Sequence, residues 1–405
     1  MSVAPALILS KRREGRIRPQ LVGLRDVLAK LGDPQQKFPS ILVVGTNGKG
    51  STAAMLEAVL RAHGLTTGLY TSPHLVQVVE RIRLDGRVVD GEELGVRLGR
   101  LEAFPDLTFF ETLTAAAFGI FADARVEVAV LEAGMGGSWD ATRLAESSIA
   151  GLTNVGSDHG AWLGNRRREI ACDKGRALAA ADSAFYSSGL ARELVDDLDA
   201  LNAVDAQTLV RAEKAPGCRI RLSWQGADEV LRMPLAGDHQ LQNVELALAL
   251  AGGAVAAGLL PGLDPDAVRR GLESIEWPGR LSTHMVAGRK VLVDCAHNLE
   301  ATVALAHELS VRPERYNLLF SCLDDKPVEG MAEMLRPYVN EVSVCSLADE
   351  RVMSPSRLQA AFPGASAAAS PLEGLGRLVD PVLATGSVRL VGELLAIADQ
   401  QEIAK

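Results

Sequence analysis

No two cysteines stand at C-x-x-C spacing in this 405-residue chain. The five, at 172, 218, 295, 322 and 345, are scattered. That argues against a zinc site or a disulfide framework and fits free thiols in a reducing compartment. Positive charge is not in excess either. Lys and Arg number 42 against 51 Asp and Glu, a net charge of −9. Such a balance argues against a general nucleic-acid-binding surface while leaving room for a local basic pocket. No apolar run approaches membrane-spanning length: the alanine-rich stretch 246–260 is broken by Gly252, Gly253 and Gly258. The opening stretch from Met1 to Leu9 is weakly apolar and runs into Lys11-Arg12-Arg13, without the basic-then-apolar order of a secretory signal. No internal repeat stands out. The expectation is a cytoplasmic globular protein with neither a nucleic-acid nor a membrane partner. Its apolar share of 47% and charged share of 23% are ordinary for that class, and its length predicts two domains.

What is present is concentrated at 41–63. The apolar run Ile41–Val44 reads as a buried strand, and a helical pattern runs from Thr52 to His63. Between them lies Gly45-Thr46-Asn47-Gly48-Lys49-Gly50-Ser51. Strand, glycine-rich loop with a lysine, then helix is the order of a nucleotide triphosphate cradle. Loop N–H groups point at phosphate oxygens and the helix N-terminus adds its positive end. Lys49 would neutralise β/γ-phosphate charge, and Ser51 or Thr52 would offer a hydroxyl to Mg²⁺. Gly50, between the lysine and the Ser/Thr pair, departs from the general spacing. A plain strand-to-helix turn accounts for the glycines but not for a lysine between two of them.

Strand-like and helical runs alternate along the chain, which predicts an α/β fold with a largely parallel sheet. Strands are expected at Leu69–Tyr70, Val126–Leu131 and Ser148–Thr153, and helices over 112–124 and 166–181. A hairpin is expected from Arg219–Trp224 and Val230–Met233, then a helix over 240–257. Near Trp277-Pro278-Gly279-Arg280 the character changes. A fresh alternation follows: strand Lys290–Asp294, helix 299–310, strand Asn317–Phe320, helix 328–337, strand Glu341–Cys345, strand Ser387–Val391, helix 392–401. The boundary is placed near 283, giving domains 1–283 and 284–405. The second holds about 120 residues, a normal domain size.

Polar clusters follow several of these strands, where ligands bind in open α/β sheets. Glu132 precedes Ala133-Gly134-Met135-Gly136-Gly137 and is placed like an acid that holds Mg²⁺ directly or through water. A turn carboxylate capping its own backbone is the other reading. Asp158-His159 follows the next strand. A histidine there can ligate a metal, although a lone histidine is more often structural. Lys174, read alone, is a surface or salt-bridge lysine. Asp294 and His297 end the first strand of the second domain and suit either contacts to ribose or phosphate or simple helix capping.

Taken in order, these motifs resemble the folylpolyglutamate synthase/dihydrofolate synthase family, a branch of the Mur ligase superfamily. The resemblance runs nearly end to end. It rests on Gly45-Thr46-Asn47-Gly48-Lys49-Gly50-Ser51-Thr52, Ser72-Pro73-His74-Leu75 with Glu80-Arg81, and Phe110-Glu111 with Thr114. It continues through Glu132 to Gly137 with Asp140-Ala141-Thr142, Thr153 with Asp158-His159, and Gly237-Asp238-His239-Gln240 with Asn243. Trp277-Pro278-Gly279-Arg280, Asp294-Cys295-Ala296-His297-Asn298 and Gly386-Ser387 complete it. It implies a P-loop-type, mostly parallel ATPase domain followed by a smaller Rossmann-like α/β domain. The implied activity is an ATP-dependent, ADP-forming ligation of L-glutamate to a dihydropteroate or folate carboxylate through an acyl phosphate.

The resemblance also implies roles. Ser51 and Glu132 would bind one Mg²⁺ and His159 a second. Lys174 would be carbamylated, turning an ammonium into an anion that can bridge to metal. Catalysis would rest on Lys49, Glu132, His159 and Lys174. Thr46, Asn47, Gly48, Lys49, Gly50, Ser51, Thr52, Asn243, Arg280, Asp294 and His297 would hold ATP. Ser72, His74, Phe110, Glu111 and Asp140 would meet the substrate, and a monomer is expected.

Four stretches depart from the family pattern. Ser138 stands where arginine is usual and Arg143 where asparagine is. Gly160 replaces threonine, and Leu299 replaces proline. Asp173-Lys174-Gly175-Arg176-Ala177 stands for E-K-A-G-I. These touch neighbours of the acceptor pocket more than the ATP residues. Alternatives are therefore the same chemistry on a non-folate carboxylate, or a catalytically impaired ATP-binding homologue.

Overall fold

The computed structural model describes residues 5–10, 12, 20–156, 166–190, 192–199 and 201–403. The chain forms two compact units. One comprises Met1–His74, Val78–Pro234 and Gln240–Ile275, the other Leu75–Gln77, Leu235–His239 and Glu276–Lys405.

The first unit is built on an eight-stranded sheet in the order β4-β3-β2-β5-β1-β6-β7-β8. At its centre lies β1 (Ser40–Val44), buried at every position. A continuous apolar run is what a parallel strand covered on both faces requires. Helix α1 (Lys49–Ala62) follows it, then β2 (Thr67–Tyr70), β3 (Ile82–Leu84) and β4 (Arg87–Val88). Helix α2 (Phe109–Ala124) starts with a capping box, in which Thr108 and Glu111 satisfy each other's backbone N–H.

Strand β5 (Val128–Glu132) begins two residues later than the apolar run suggests and ends one residue further. Val126 is spent on the exit of α2, where its N–H reaches Phe121 O at 3.2 Å and Arg125 turns left-handed at φ 53°. Glu132 thereby becomes the last residue of the strand. β6 (Ile149–Leu152), helix α3 (Arg167–Leu178), β7 (Ser183–Tyr186) and β8 (Val204–Asp205) complete the sheet. β2, β5, β1 and β6 are consecutive parallel neighbours, so their carboxyl ends lie side by side.

A separate three-stranded antiparallel sheet joins β9 (Val210–Ala215), β10 (Arg219–Trp224) and β11 (Ala227–Arg232). The hairpin's second strand starts at Ala227 rather than Val230, because Gln225 and Gly226 form a two-residue turn with both φ positive. β9 escapes sequence reading because Ala, Glu and Lys are weak strand formers; its partner β10 imposes the conformation. Helix α4 (His239–Ala256) follows.

The second unit has a six-stranded sheet in the order β12-β13-β17-β14-β15-β16. Its strands are β12 (Ser282–Val286), β13 (Arg289–Val293), β14 (Tyr316–Phe320), β15 (Val339–Cys345), β16 (Ser366–Ala368) and β17 (Val382–Thr385). All ladders are parallel except β12 with β13. Helix α5 (Leu299–Ser310) follows β13, and α6 (Val388–Ile403) follows β17. The expected strand Ser387–Val391 is a correction: the strand lies at 382–385 and 388–391 open the helix. Gly386, at φ 105°, breaks the strand, and the Ser387 hydroxyl accepts the Arg389 N–H at 3.1 Å. Leu390, Val391, Leu394 and Leu395 then form the buried face of a helix.

Candidate active site

The loop after β1 is held open by its neighbours. Thr46 and Asn47 donate their N–H groups to the Asn154 side chain, Asn47 at 2.8 Å. The Thr153 hydroxyl donates to Asn47 O at 2.6 Å. Asn154, just beyond β6, therefore scaffolds the loop, a role the sequence offered no sign of beyond its place after a strand. Gly48 is left-handed at φ 83° and caps α1. Thr52 is the first residue whose N–H reaches back into the helix, to Gly48 O at 2.9 Å. Lys49, Gly50 and Ser51 form the first turn, the position at which helix N–H groups serve anions. Lys49 Nζ rests on Thr46 O at 3.1 Å. The Thr52 hydroxyl is fully buried with no hydrogen-bond partner among the described residues. A buried orphan hydroxyl beneath such a turn suits an Mg²⁺-bearing phosphate group. Asn243 on α4 is buried and donates to Gln240 Oε1 at 2.8 Å, and its Oδ1 faces Gly48.

Glu132 ends β5 beside Val43 and is only 4% exposed. Its Oε2 accepts the Ser72 N–H at 2.9 Å, so Ser72, beyond the end of β2, meets the acid across the strand ends. From α3, Lys174 is 2% exposed and donates through Nζ to Gly45 O at 2.7 Å. It is neither a surface lysine nor one held only in a salt bridge, because the packing of α3 against the sheet turns it toward the phosphate loop. The structure thus brings Lys49, Glu132, Lys174, Ser72 and Asn243 around the carboxyl ends of β2, β5, β1 and β6. His159 lies outside the described residues, as do Asp158 and Gly160.

Next to Glu132 is an aromatic and cationic surface. The Phe110 ring packs on Gly134 and lies 5.8 Å from the Tyr70 ring. His74 Nδ1 accepts from Arg81 Nε at 2.8 Å, and the Arg81 guanidinium lies 5.0 Å from the Phe109 ring centroid. Arg81 is 3% exposed. Sequence reading gave it no role, although a buried arginine beside aromatic rings is a natural carboxylate or π-system contact. Burial pushes the Tyr70 phenol well above its ordinary range.

Two expected substrate contacts have structural duties. Glu111 Oε2 accepts the Thr108 N–H at 2.7 Å as part of the capping box. Asp140 accepts from Met135 N at 2.9 Å, Thr142 N at 3.0 Å and Thr142 Oγ1 at 2.6 Å, and so braces the glycine turn. Burial nonetheless raises its carboxyl above the usual range, with those hydrogen bonds opposing.

Within the second unit, Asp294 accepts from Leu281 N at 3.0 Å and Ala296 N at 2.8 Å. His297 Nδ1 lies 2.9 Å from Cys295 O, so Nδ1 is the donor of that bond. Asn298 caps α5 through the Ala301 N–H. Arg280 carries its charge near Cys295, whose thiol burial pushes up to about 12.

A phosphate loop on a parallel sheet, an acid ending the adjacent strand and a buried lysine turned toward the loop define an ATP-using protein of the Mur ligase type. Residues 43–178 match the Mur ligase middle domain. More narrowly, the chain belongs to the folylpolyglutamate synthase/dihydrofolate synthase family. It is 35% identical over 366 residues to the Mycobacterium tuberculosis dihydrofolate synthase/folylpolyglutamate synthase, covering 82% of this chain and 75% of that one. It is 33% identical over 414 residues to a probable bifunctional folylpolyglutamate synthase/dihydropteroate synthase of Haloferax volcanii. That match takes in 94% of this chain, which spans about half (48%) of the longer protein.

Solved structures agree. Mycobacterium tuberculosis folylpolyglutamate synthase complexed with ADP superposes with a TM-score of 0.86 at 31% identity, covering 96% of both chains. E. coli FolC in complex with DHPP and ADP gives 0.87 at 26%, covering 99% of both. A bifunctional folylpolyglutamate synthase/dihydrofolate synthase with Mn, AMPPNP and L-glutamate bound gives 0.84 at 25%, covering 98% of both. No helix among the described residues is long and apolar enough to cross a membrane.

Proposed function

We propose that this protein is an ADP-forming ligase that joins L-glutamate to the carboxylate of a dihydropteroate or folate, acting as a monomer in the cytoplasm. The observation that carries this reading is the convergence of Lys49, Glu132 and Lys174 on one set of strand ends, in a chain whose relatives bear that activity. The substrate carboxylate attacks the γ-phosphorus of ATP, ADP leaves, and an acyl phosphate remains. The glutamate amine then attacks the acyl carbon and expels phosphate, leaving an amide. Lys49 and the N–H groups opening α1 offset charge gathering on the γ-phosphate. Glu132, which meets Ser72, would hold Mg²⁺ together with Ser51 or Thr52 of the phosphate loop, and the ion when bound supplies further electrostatic stabilisation of that charge. Lys174, on gaining CO₂, becomes an anion suited to a metal rather than to the Gly45 carbonyl. Phe110, Tyr70, His74 and Arg81 offer the acceptor a ring face and a cation, while Glu111 and Asp140 keep that surface in shape.

ADP release with ATP, Mg²⁺ and glutamate tests this reading when dihydropteroate, tetrahydrofolate or neither is supplied. Turnover is expected with a pterin and not without one. Tight ATP binding with no pterin turnover would sink it. Lys174→Ala is expected to lower kcat by about 10²–10³-fold while leaving binding of AMPPNP within a few-fold of wild type. Undiminished turnover would remove the carbamate role.

A further inference from the structure

Helix α3 presents two consecutive residues to two different loops. Lys174 reaches the phosphate loop at Gly45 O, 2.7 Å away. Asp173 reaches the turn that follows Glu132: its Oδ2 accepts the Gly137 N–H at 2.7 Å and its Oδ1 accepts the Ser138 hydroxyl. The contact is close enough to involve the backbone. A Cβ on Gly137 would stand 2.6 Å from Asp173 O and 2.7 Å from Lys174 Cα, so no other residue fits without moving the helix. Arg143 and Arg176 also converge on Ser138, at its carbonyl (2.9 Å) and its hydroxyl (3.3 Å). Two of the departures from the family pattern, at 138 and 173, therefore face each other as a Ser–Asp hydrogen bond.

We propose that Asp173 is a positioning residue, clipping the 134–138 turn onto α3 so that Glu132 and Lys174 are held at one fixed separation across the ends of β5 and β1. The proposal rests on the function assigned above only in naming Glu132 as the metal acid. Its basis is geometric: the carboxylate fixes two consecutive positions of the turn, and the next residue along the helix fixes the phosphate loop. Residues that orient a metal-holding group in this way change metal affinity by about 10–100-fold when removed. An asparagine can keep both bonds, accepting from Gly137 N–H with its oxygen while its amide donates to Ser138 Oγ.

The test is calorimetric titration of Mn²⁺ into the AMPPNP complex, together with kcat, KM and melting temperature, for Asp173→Ala, Asp173→Asn and Ser138→Ala. Asp173→Ala is expected to weaken Mn²⁺ binding by about tenfold or more and to lower kcat, with the acceptor KM within about threefold of wild type. Asp173→Asn is expected to restore both to within about threefold. Ser138→Ala, which removes the hydroxyl's bonds to Asp173 and Arg176 but keeps the Gly137–Asp173 bond, shifts Mn²⁺ affinity in the same direction by about threefold and decides the matter should Asp173→Ala not fold. Wild-type Mn²⁺ affinity in folded Asp173→Ala or in Ser138→Ala overturns the proposal, as does an asparagine variant as impaired as the alanine one. Mn²⁺ and AMPPNP binding needs no acceptor, so a wild-type protein inactive on pterins refutes the functional reading and leaves this comparison intact.

Discussion

Glu132→Gln is expected to reduce ADP formation by about three orders of magnitude without unfolding the protein. The substitution is nearly isosteric and keeps an oxygen able to accept the Ser72 N–H, now made by Glu132 Oε2 at 2.9 Å. What it removes is a negative charge at a residue 4% exposed on the last position of a central strand. Burying a carboxylate costs more than burying an amide of the same shape, so the charge itself is what the substitution tests. The variant should remain folded in metal-free buffer, since its shape and its bond from the Ser72 N–H are kept. The discriminating measurement pairs steady-state ADP release with thermal unfolding in chelator. Turnover within tenfold of wild type would falsify the assignment of Glu132 as the metal acid.

The second large effect is expected at the phosphate loop. In Gly48→Ala the new Cβ would sit 2.5 Å from Asn243 Oδ1, on a backbone at φ 83°. The left-handed conformation costs a non-glycine residue about 1–2 kcal/mol, and overpacking adds about 1–2 kcal/mol more. Moving the Asn243 side chain aside disturbs its bond to Gln240 Oε1 at 2.8 Å. A loss of about 2–4 kcal/mol by this addition should lower the melting temperature by about 5 °C or more. The KM for ATP should rise about tenfold or more, because the turn that sets the first helical N–H groups is displaced. Thermal unfolding with and without AMPPNP separates the two effects, since the nucleotide should stabilise wild type more than the variant. Equal stabilisation of both would show that the loop's geometry does not control nucleotide binding.

Both predictions concern residues visible in the chain before any coordinates, because loops that bind phosphate need particular residue types in fixed local order. Gly48, Lys49 and Ser51 are such a case, and so is an acid directly after a buried apolar run. Residues whose role depends on what packs against them were not legible in that way. Glu111, expected at the substrate, also caps α2, a duty its residue type alone does not reveal, since a carboxylate three residues after Thr108 satisfies a helix end as readily as it binds a ligand. Arg81 has no role readable from the chain until the Phe109 ring and His74 are seen around it. Strand β17 was misplaced because the apolar residues Val388, Leu390 and Val391 suit a strand as well as a helix, and only the left-handed Gly386 and the Ser387 cap separate the two.

The sequence by itself determined the α/β alternation, the phosphate loop and the family, all of which depend on residue order over short spans. Tertiary structure decided which side chains share the site. The parallel order β2-β5-β1-β6 sets Ser72 against Glu132, and the packing of α3 turns Lys174 from a surface lysine into a buried one aimed at Gly45. These two pairs are separated by 60 and 129 positions in the chain. No local pattern of charge or hydropathy encodes such a meeting; it arises because parallel strands with helical crossovers gather their carboxyl ends on one edge of the sheet.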